Sequence, residues 1–415
     1  MKVLKIAFIV DIFPSISETF ILNQITYLID EGHDVTIFSR VRGKQVVVHD
    51  QVNKYRLINR TIYFPPKEKS FLRRFTTIFA SLLKIKSMRF AKNILKCLNI
   101  FKLGRPSLSL YLAYNYSVLR SIENYDVIHA HFGTSAIFVS YLKKAGLLRD
   151  TNIVTSFHGS DLSPDVKEHN KVLYRDVFLY SKLLTVNTEY SFNLLTEITG
   201  HSFRIDILPV GLDTDRFQKN RNLILSDVGI NITFCGRLIP LKGAHICLEI
   251  IRRLIEEVDL DIKFQIIGNG PEYESLKQLI SDLELEDVVS LLGSLNQNEV
   301  LRTLSSTDIF LFPGTYDPAT GRCETQGLVI QEAQAMEIPV VISDVGGMKY
   351  GIVDGGTGFV VKDGNIDAYV DILLNLSLNP ELREKMGKAG REHVISCYDY
   401  RYLGKKLLEL YMSIL

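Results

Sequence analysis

Short runs of β-branched and aromatic residues, each closing on Gly, Ser, Asn or His, alternate along this chain with longer stretches whose apolar positions recur every three to four residues. A run of the first kind predicts a buried strand and a stretch of the second kind an amphipathic helix. In the first half the strands are expected at 5–10, 34–40, 61–64, 126–132, 152–158, 183–187 and 204–210. In the second they are expected at 231–237, 263–268, 288–293, 308–312, 339–343 and 358–361. Strands alternating with helices give an α/β fold with parallel sheets, and here the pattern occurs twice. Ser15 and Glu18 have the S-x-x-E spacing of a capping box ahead of Ile21, Ile25, Leu28 and Ile29, which predicts the first helix.

Two Rossmann-like units follow, residues 1–212 and 213–398, with the hinge in the weakly periodic stretch 211–231. A last helix, about Tyr400 to Ile414, lies beyond the final strand and is expected to cross back to the first unit as the segment 399–415. Open parallel sheets bind ligands beyond the carboxyl ends of their strands. Two such sheets face to face would share one cleft.

Composition narrows the picture. The chain has 415 residues, 46% of them hydrophobic, enough for two sizeable cores. Its 48 Lys and Arg against 47 Asp and Glu give no overall field that would draw it to nucleic acid. The five cysteines, Cys97, Cys235, Cys247, Cys323 and Cys397, lack metal-ligand or disulfide spacing, so no metal site is expected and a reducing cytoplasm fits. The apolar run Ile6–Val10 is broken by Asp11 and Pro14 too early for a signal-peptide core, and no stretch reads as membrane-spanning.

The segment Glu324-Thr325-Gln326-Gly327-Leu328-Val329-Ile330-Gln331-Glu332 carries the most chemical information. It sets two carboxylates eight residues apart around the start of a helix, about 12 Å at helical rise, which matches the span from sugar to ribose in a folded nucleotide diphosphate sugar. The amides of Gln326, Gly327 and Leu328 would form the positive end of that helix, where a diphosphate is favoured. Alone, Glu324 could simply cap the helix and Glu332 be an exposed helical residue. Arg237, closing the first strand of the second unit, and Lys242, opening the next helix, add a fork and a point charge that can converge on the same diphosphate. Fixed cations there would favour the departure of a leaving group that gains negative charge.

Together with Gly236-Arg237, Lys242-Gly243, Ile267-Gly268-Asn269-Gly270-Pro271 and Glu332-Ala333-Gln334-Ala335, these residues resemble retaining glycosyltransferase family 4. The resemblance continues in the first half through Phe13-Pro14, Ser17-Glu18-Thr19-Phe20, His129-Ala130-His131-Phe132-Gly133, His158-Gly159-Ser160-Asp161 and Pro209-Val210-Gly211-Leu212-Asp213. It is most similar to bacterial enzymes that build capsule, exopolysaccharide or lipopolysaccharide.

The resemblance implies the GT-B architecture, with a glycan or polyprenyl-diphosphate-linked saccharide as acceptor on the first unit and a nucleotide diphosphate sugar as donor on the second. It implies no cofactor or metal, Arg237 and Lys242 on the diphosphate, Glu332 on the ribose, and Glu324 on the transferred sugar with His158 opposite. His131 would shape the acceptor cleft. The implied mechanism is front-face displacement with retention, the leaving phosphate taking the acceptor proton; a covalent intermediate on Glu324 is the less favoured variant. Thr325 stands where the family usually has Gly, and Gly346-Gly347-Met348-Lys349-Tyr350 lacks the acidic residue that often follows the Gly pair. Both bear on the donor sugar and on whether the chain is active.

Residues 67–105 hold 11 Lys or Arg and one acid, Glu68, a net +10 in a chain whose total is +1. Phe71, Phe75, Ile78, Phe79, Leu82 and Leu83 share one helical face there. That face either packs on the first sheet or docks on an anionic leaflet, placing a cytoplasmic protein peripherally on the inner membrane. The competing readings are a catalytically inactive assembly subunit, a sugar phosphorylase and a nucleotide-sugar epimerase. An NAD-dependent oxidoreductase is disfavoured, because Asp11-Ile12-Phe13-Pro14-Ser15 replaces the glycine-rich turn after the first strand.

Overall fold

The computed structural model describes residues 2–15, 18–43, 49–200, 202–219 and 229–415. Ser17 of the Ser17–Phe20 motif and residues 220–228 of the expected hinge lie outside the described residues.

Every expected strand forms. The first sheet contains β1 (Lys5–Phe13), β2 (Asp34–Arg42), β3 (Thr61–Tyr63), β4 (Val127–His131), β5 (Asn152–Phe157), β6 (Leu183–Val186) and β7 (Ile205–Ile207). They run in the order β3-β2-β1-β4-β5-β6-β7. The second sheet contains β8 (Ile230–Cys235), β9 (Ile262–Ile267), β10 (Val289–Gly293), β11 (Ile309–Phe312), β12 (Val340–Ser343) and β13 (Gly358–Val361), in the order β10-β9-β8-β11-β12-β13. All pairings are parallel. Parallel strands covered on both faces need continuous apolar runs, and β4, β6, β11 and β12 are buried at every position. In both sheets the strand order reverses direction beside the first strand, at β1/β4 and at β8/β11, so a crevice opens there at the carboxyl ends.

The first helix departs from expectation. β1 runs on to Phe13, pairing Ile12 with Val41 and Phe13 with Arg42, and the helix begins only at Thr19. Glu18 therefore stands at the N-cap position itself, with no side-chain cap bond, and the Ser15–Glu18 capping box does not form.

The helix Tyr400–Met412 buries Leu403, Leu407, Leu408 and Tyr411 in one cluster with Leu4, Ile6 and Phe8 of the first sheet. Next to it, the two chain crossings between the sheets are hydrogen-bonded: Leu212 N donates to Tyr398 O at 3.1 Å and Tyr400 N to Leu212 O at 2.9 Å. Among the described residues no helix is long and apolar enough to cross a membrane.

Candidate active site

A cavity of about 420 Å³ lies between the sheets, and His158, Arg237, Lys242, Glu324 and Thr325 all line it. His158 follows β5, Arg237 and Lys242 follow β8, and Glu324 follows β11, so the carboxyl ends of both sheets supply it.

Lys242 Nζ pairs with Glu324 Oε2. Burial pushes the Glu324 carboxyl up, but the Lys242 charge, its hydrogen bond and the amides of Gln326 and Thr325 outweigh burial and hold the group below its usual range. Thr325 N donates to Glu324 Oε1 at 3.0 Å. An ionised carboxylate thus sits against a cation that a diphosphate could also claim. Arg237 is exposed beside them, with no ion pair among the described residues.

The backbone that carries these groups is packed through glycine. Gly268, at φ +144, lies so close that a Cβ there would stand 1.8 Å from Gly236 O, and Leu238 N donates to Asn269 O at 3.0 Å. The Ile267–Pro271 motif thereby supports the loop of Arg237 from below. Gly346 and Gly347 do the same for Glu324: Gly347 N donates to Glu324 O at 2.9 Å, and a Cβ on Gly347 would lie 1.8 Å from Thr325 O.

The eight-residue spacing does not mean eight helical steps. The helix spans Leu328–Ala335, with Gly327 at its N-cap in left-handed conformation (φ +76). Glu324 lies on the loop before it and only Glu332 is helical. Glu332 is half-buried and does not line the 420 Å³ cavity; with Arg216, Gln297 and Asn23 it lines a separate, smaller pocket. Burial pushes its carboxyl up to about 7, with Arg216 opposing. Gln326 lends its side chain elsewhere. Its Oε1 accepts from Val210 N at 2.9 Å and its Nε2 donates to Val210 O at 2.8 Å; the expected donor-binding residues Gln326, Gly327 and Leu328 do not line the 420 Å³ cavity, because the chain turns inward after Thr325.

On the first sheet, His158 Nε2 lies 2.9 Å from His131 Nδ1 and the two rings stack at 5.2 Å with planes 5° apart. Phe20 and Phe132 enclose His158 at 4.8 and 4.9 Å. The remaining nitrogens, His158 Nδ1 and His131 Nε2, are buried without partners among the described residues. Burial pushes His158 down to about 3 and His131 well below its usual value, so both rings are neutral at physiological pH. Asp161 of the His158 motif staples the site: its carboxylate accepts from His158 N at 3.1 Å and Gly133 N at 2.8 Å.

The segment Arg322–Gln326 is hydrogen-bonded across to the first sheet at nearly every residue. Arg322 Nε donates to Ser163 Oγ at 2.8 Å, Cys323 Sγ lies 3.2 Å from Tyr190 Oη, and Asn187 Nδ2 donates to Thr325 Oγ1 at 3.1 Å. Thr188 Oγ1 donates to Thr325 O at 2.8 Å. Asn187 and Thr188 follow β6, and that strand-end position was the one signal available. Thr325, which stands where the family usually has Gly, ties the two sheets together.

Residues 216–393 match the model of the group 1 glycosyl transferases, and residues 93–216 match that of glycosyltransferase family 4. The chain is 30% identical over 383 residues to the amylovoran biosynthesis glycosyltransferase AmsK of Erwinia amylovora, covering 90% of this chain and 91% of the relative. It is 28% identical over 413 residues to the putative colanic acid biosynthesis glycosyltransferase WcaL of Escherichia coli, covering 99% and 100%. In fold it is similar to the crystal structure of Anabaena Alr3699/HepE in complex with UDP, with a TM-score of 0.73 at 16% identity over 99% of this chain and 100% of that one.

Proposed function

Since the chain belongs to the group 1 glycosyl transferases and has their two-sheet GT-B fold, we propose that it moves a sugar, with retention and without a metal, from a nucleotide diphosphate sugar to a growing surface polysaccharide. The acceptor is a glycan or a polyprenyl-diphosphate-linked saccharide, and the protein works as a peripheral enzyme at the cytoplasmic face of the inner membrane. The observation that carries the reading is the Lys242–Glu324 pair, set in one cavity with Arg237 and His158 from opposite sheets.

In this reading the diphosphate lies against Arg237, Lys242 and the amides before Leu328. The bond from the anomeric carbon to the phosphate oxygen breaks while the acceptor oxygen bonds to the same face. The acceptor proton passes to the leaving phosphate oxygen, giving a glycoside and a nucleoside diphosphate. The fixed cations meet the charge as it develops, which is where electrostatic stabilisation counts most. Lys242, released from Glu324 by the diphosphate, leaves that carboxylate free to accept from sugar hydroxyls. Support for a surface-polysaccharide product comes from the amylovoran and colanic acid relatives, and for a nucleotide donor from the UDP-bound structural neighbour. The test is product stereochemistry by NMR with EDTA present: the donor's anomeric configuration is expected in the product. Inversion, or a requirement for a divalent ion, contradicts the mechanism.

A further inference from the structure

We propose that the outer face of the helix Phe71–Ile85 is a docking surface for an anionic lipid bilayer. The proposal goes beyond the transfer chemistry, and its helix lies upstream of both family matches.

The apolar residues of this helix divide into two neighbouring sets of different burial. Ile78, with Leu82 and Ile85, packs into the core of the first sheet. Phe71, Phe75, Phe79 and Leu83, spaced four apart, form a stripe that is 52 to 60% exposed, with the Phe75 and Phe79 rings stacked 6.4 Å apart. Met88 and Leu95 on the next helix, Met88–Cys97, are more exposed still. The apolar face read from the sequence therefore has a buried edge and an exposed stripe, and packing on the sheet explains only the first.

The charge around the stripe selects its partner. Lys69, Lys84, Lys86 and Lys92 are exposed, with no ion pair among the described residues. Arg74, by contrast, turns inward: Nε donates to Glu68 O at 2.7 Å and one terminal nitrogen to Ser109 O at 2.6 Å. Arg89 is paired with Glu123 at 3.0 Å. Free cations on the same segment as an exposed aromatic and aliphatic stripe match a surface with anionic headgroups over an apolar phase. A second copy of the same face would bring like charges together, and a nucleic acid would leave the stripe in water.

The location suits the site. Arg74 and Glu68 border a cavity of about 590 Å³ at the carboxyl ends of β1 and β2, where Ile12 and Val41 also line it. The His158 loop follows β5 at the same carboxyl end of that sheet, two strands from β1, so docking through this helix would bring the cavity to the bilayer surface.

The chain contains no tryptophan, so Phe75→Trp supplies a single reporter. With phosphatidylglycerol–phosphatidylcholine vesicles at low salt, its emission should shift to the blue and be quenched by brominated lipid. Neither should occur with phosphatidylcholine alone. Reversing Lys84 and Lys86 to Glu should weaken partitioning by about tenfold or more, and Phe79→Ser should also weaken it. A tryptophan at Tyr402, exposed on the last helix, should not respond. Emission unchanged by anionic vesicles overturns the proposal. So does a blue shift without lipid in a protein that runs as a dimer, which would make a second copy the occupant. Thermal shift with nucleoside diphosphates on the same variants should match wild type, so loss of docking is told apart from failure of the transferase reading.

Discussion

Gln326, from the loop that carries Glu324, holds both backbone groups of Val210, accepting from its N–H at 2.9 Å and donating to its carbonyl at 2.8 Å. Val210 lies just beyond β7, where the chain has left the first sheet, so a side chain of the donor half is bonded to the crossing itself. Gln326→Leu leaves two buried backbone groups unpaired and should cost about 2–3 kcal/mol. Thermal denaturation should show it as a drop of several degrees, with the transferred sugar unchanged. A variant as stable as wild type would mean the bracket carries no load.

Gly159 and Thr325 test the lock between sheets. A Cβ on Gly159 would stand 2.5 Å from Thr325 Oγ1, and Gly159 itself is at φ +100. Gly159→Ala should therefore lower activity strongly, and Thr325→Gly in the same chain should restore part of it. The restored part measures the clash; what stays lost measures the backbone strain. If activity in the double variant is no better than in Gly159→Ala alone, Thr325 is not the residue Gly159 makes room for.

His131 touches His158, and by holding its ring it should act as a positioning residue. His131→Ala is expected to lower kcat by about one order of magnitude or more with little change in nucleotide affinity. Combined with His158→Ala it should add almost nothing. Additive losses would show that the two rings act separately.

Glu332 predicts a pH signature. Its carboxyl is pushed up to about 7 by burial, so between about 4.5 and 7 the folded chain holds a proton that the unfolded chain has released. Stability from this group is full below the unfolded value and is lost as pH rises through 7. Glu18, pushed up to about 7 by burial and by Asp11, acts in the same direction, so the comparison is by difference. Wild type should lose more melting temperature than Glu332→Gln between pH 5 and 8. Parallel curves for the two proteins would rule out an elevated Glu332.

The strands were legible because a buried parallel strand has to be an unbroken apolar run, as Ile309–Phe312 and Val340–Ser343 are. At the strand ends, charge and helix-end chemistry pointed to Arg237, Lys242 and Glu324 and motif resemblance added His158; all four line one cavity. Spacing misled at Glu332, because residue count gives distance only inside a helix and Glu324 lies before the helix starts. The capping box failed for a related reason: continued pairing of β1 with β2 displaced the helix start, a tertiary effect that four residues cannot show. The band Arg322–Gln326 was invisible because its partners, Ser163, Tyr190, Asn187 and Val210, lie more than a hundred positions away.

The central claim is that Lys242 and its neighbours bind a nucleoside diphosphate without a metal. Isothermal titration of nucleoside diphosphates into wild type and Lys242→Ala, both in EDTA, tests it most directly. The account predicts that wild type binds at least one of them and that Lys242→Ala binds it about tenfold or more weakly, as expected for loss of a charge-assisted contact. Wild type that binds none of them in EDTA, or a Lys242→Ala variant with unchanged affinity, would contradict it.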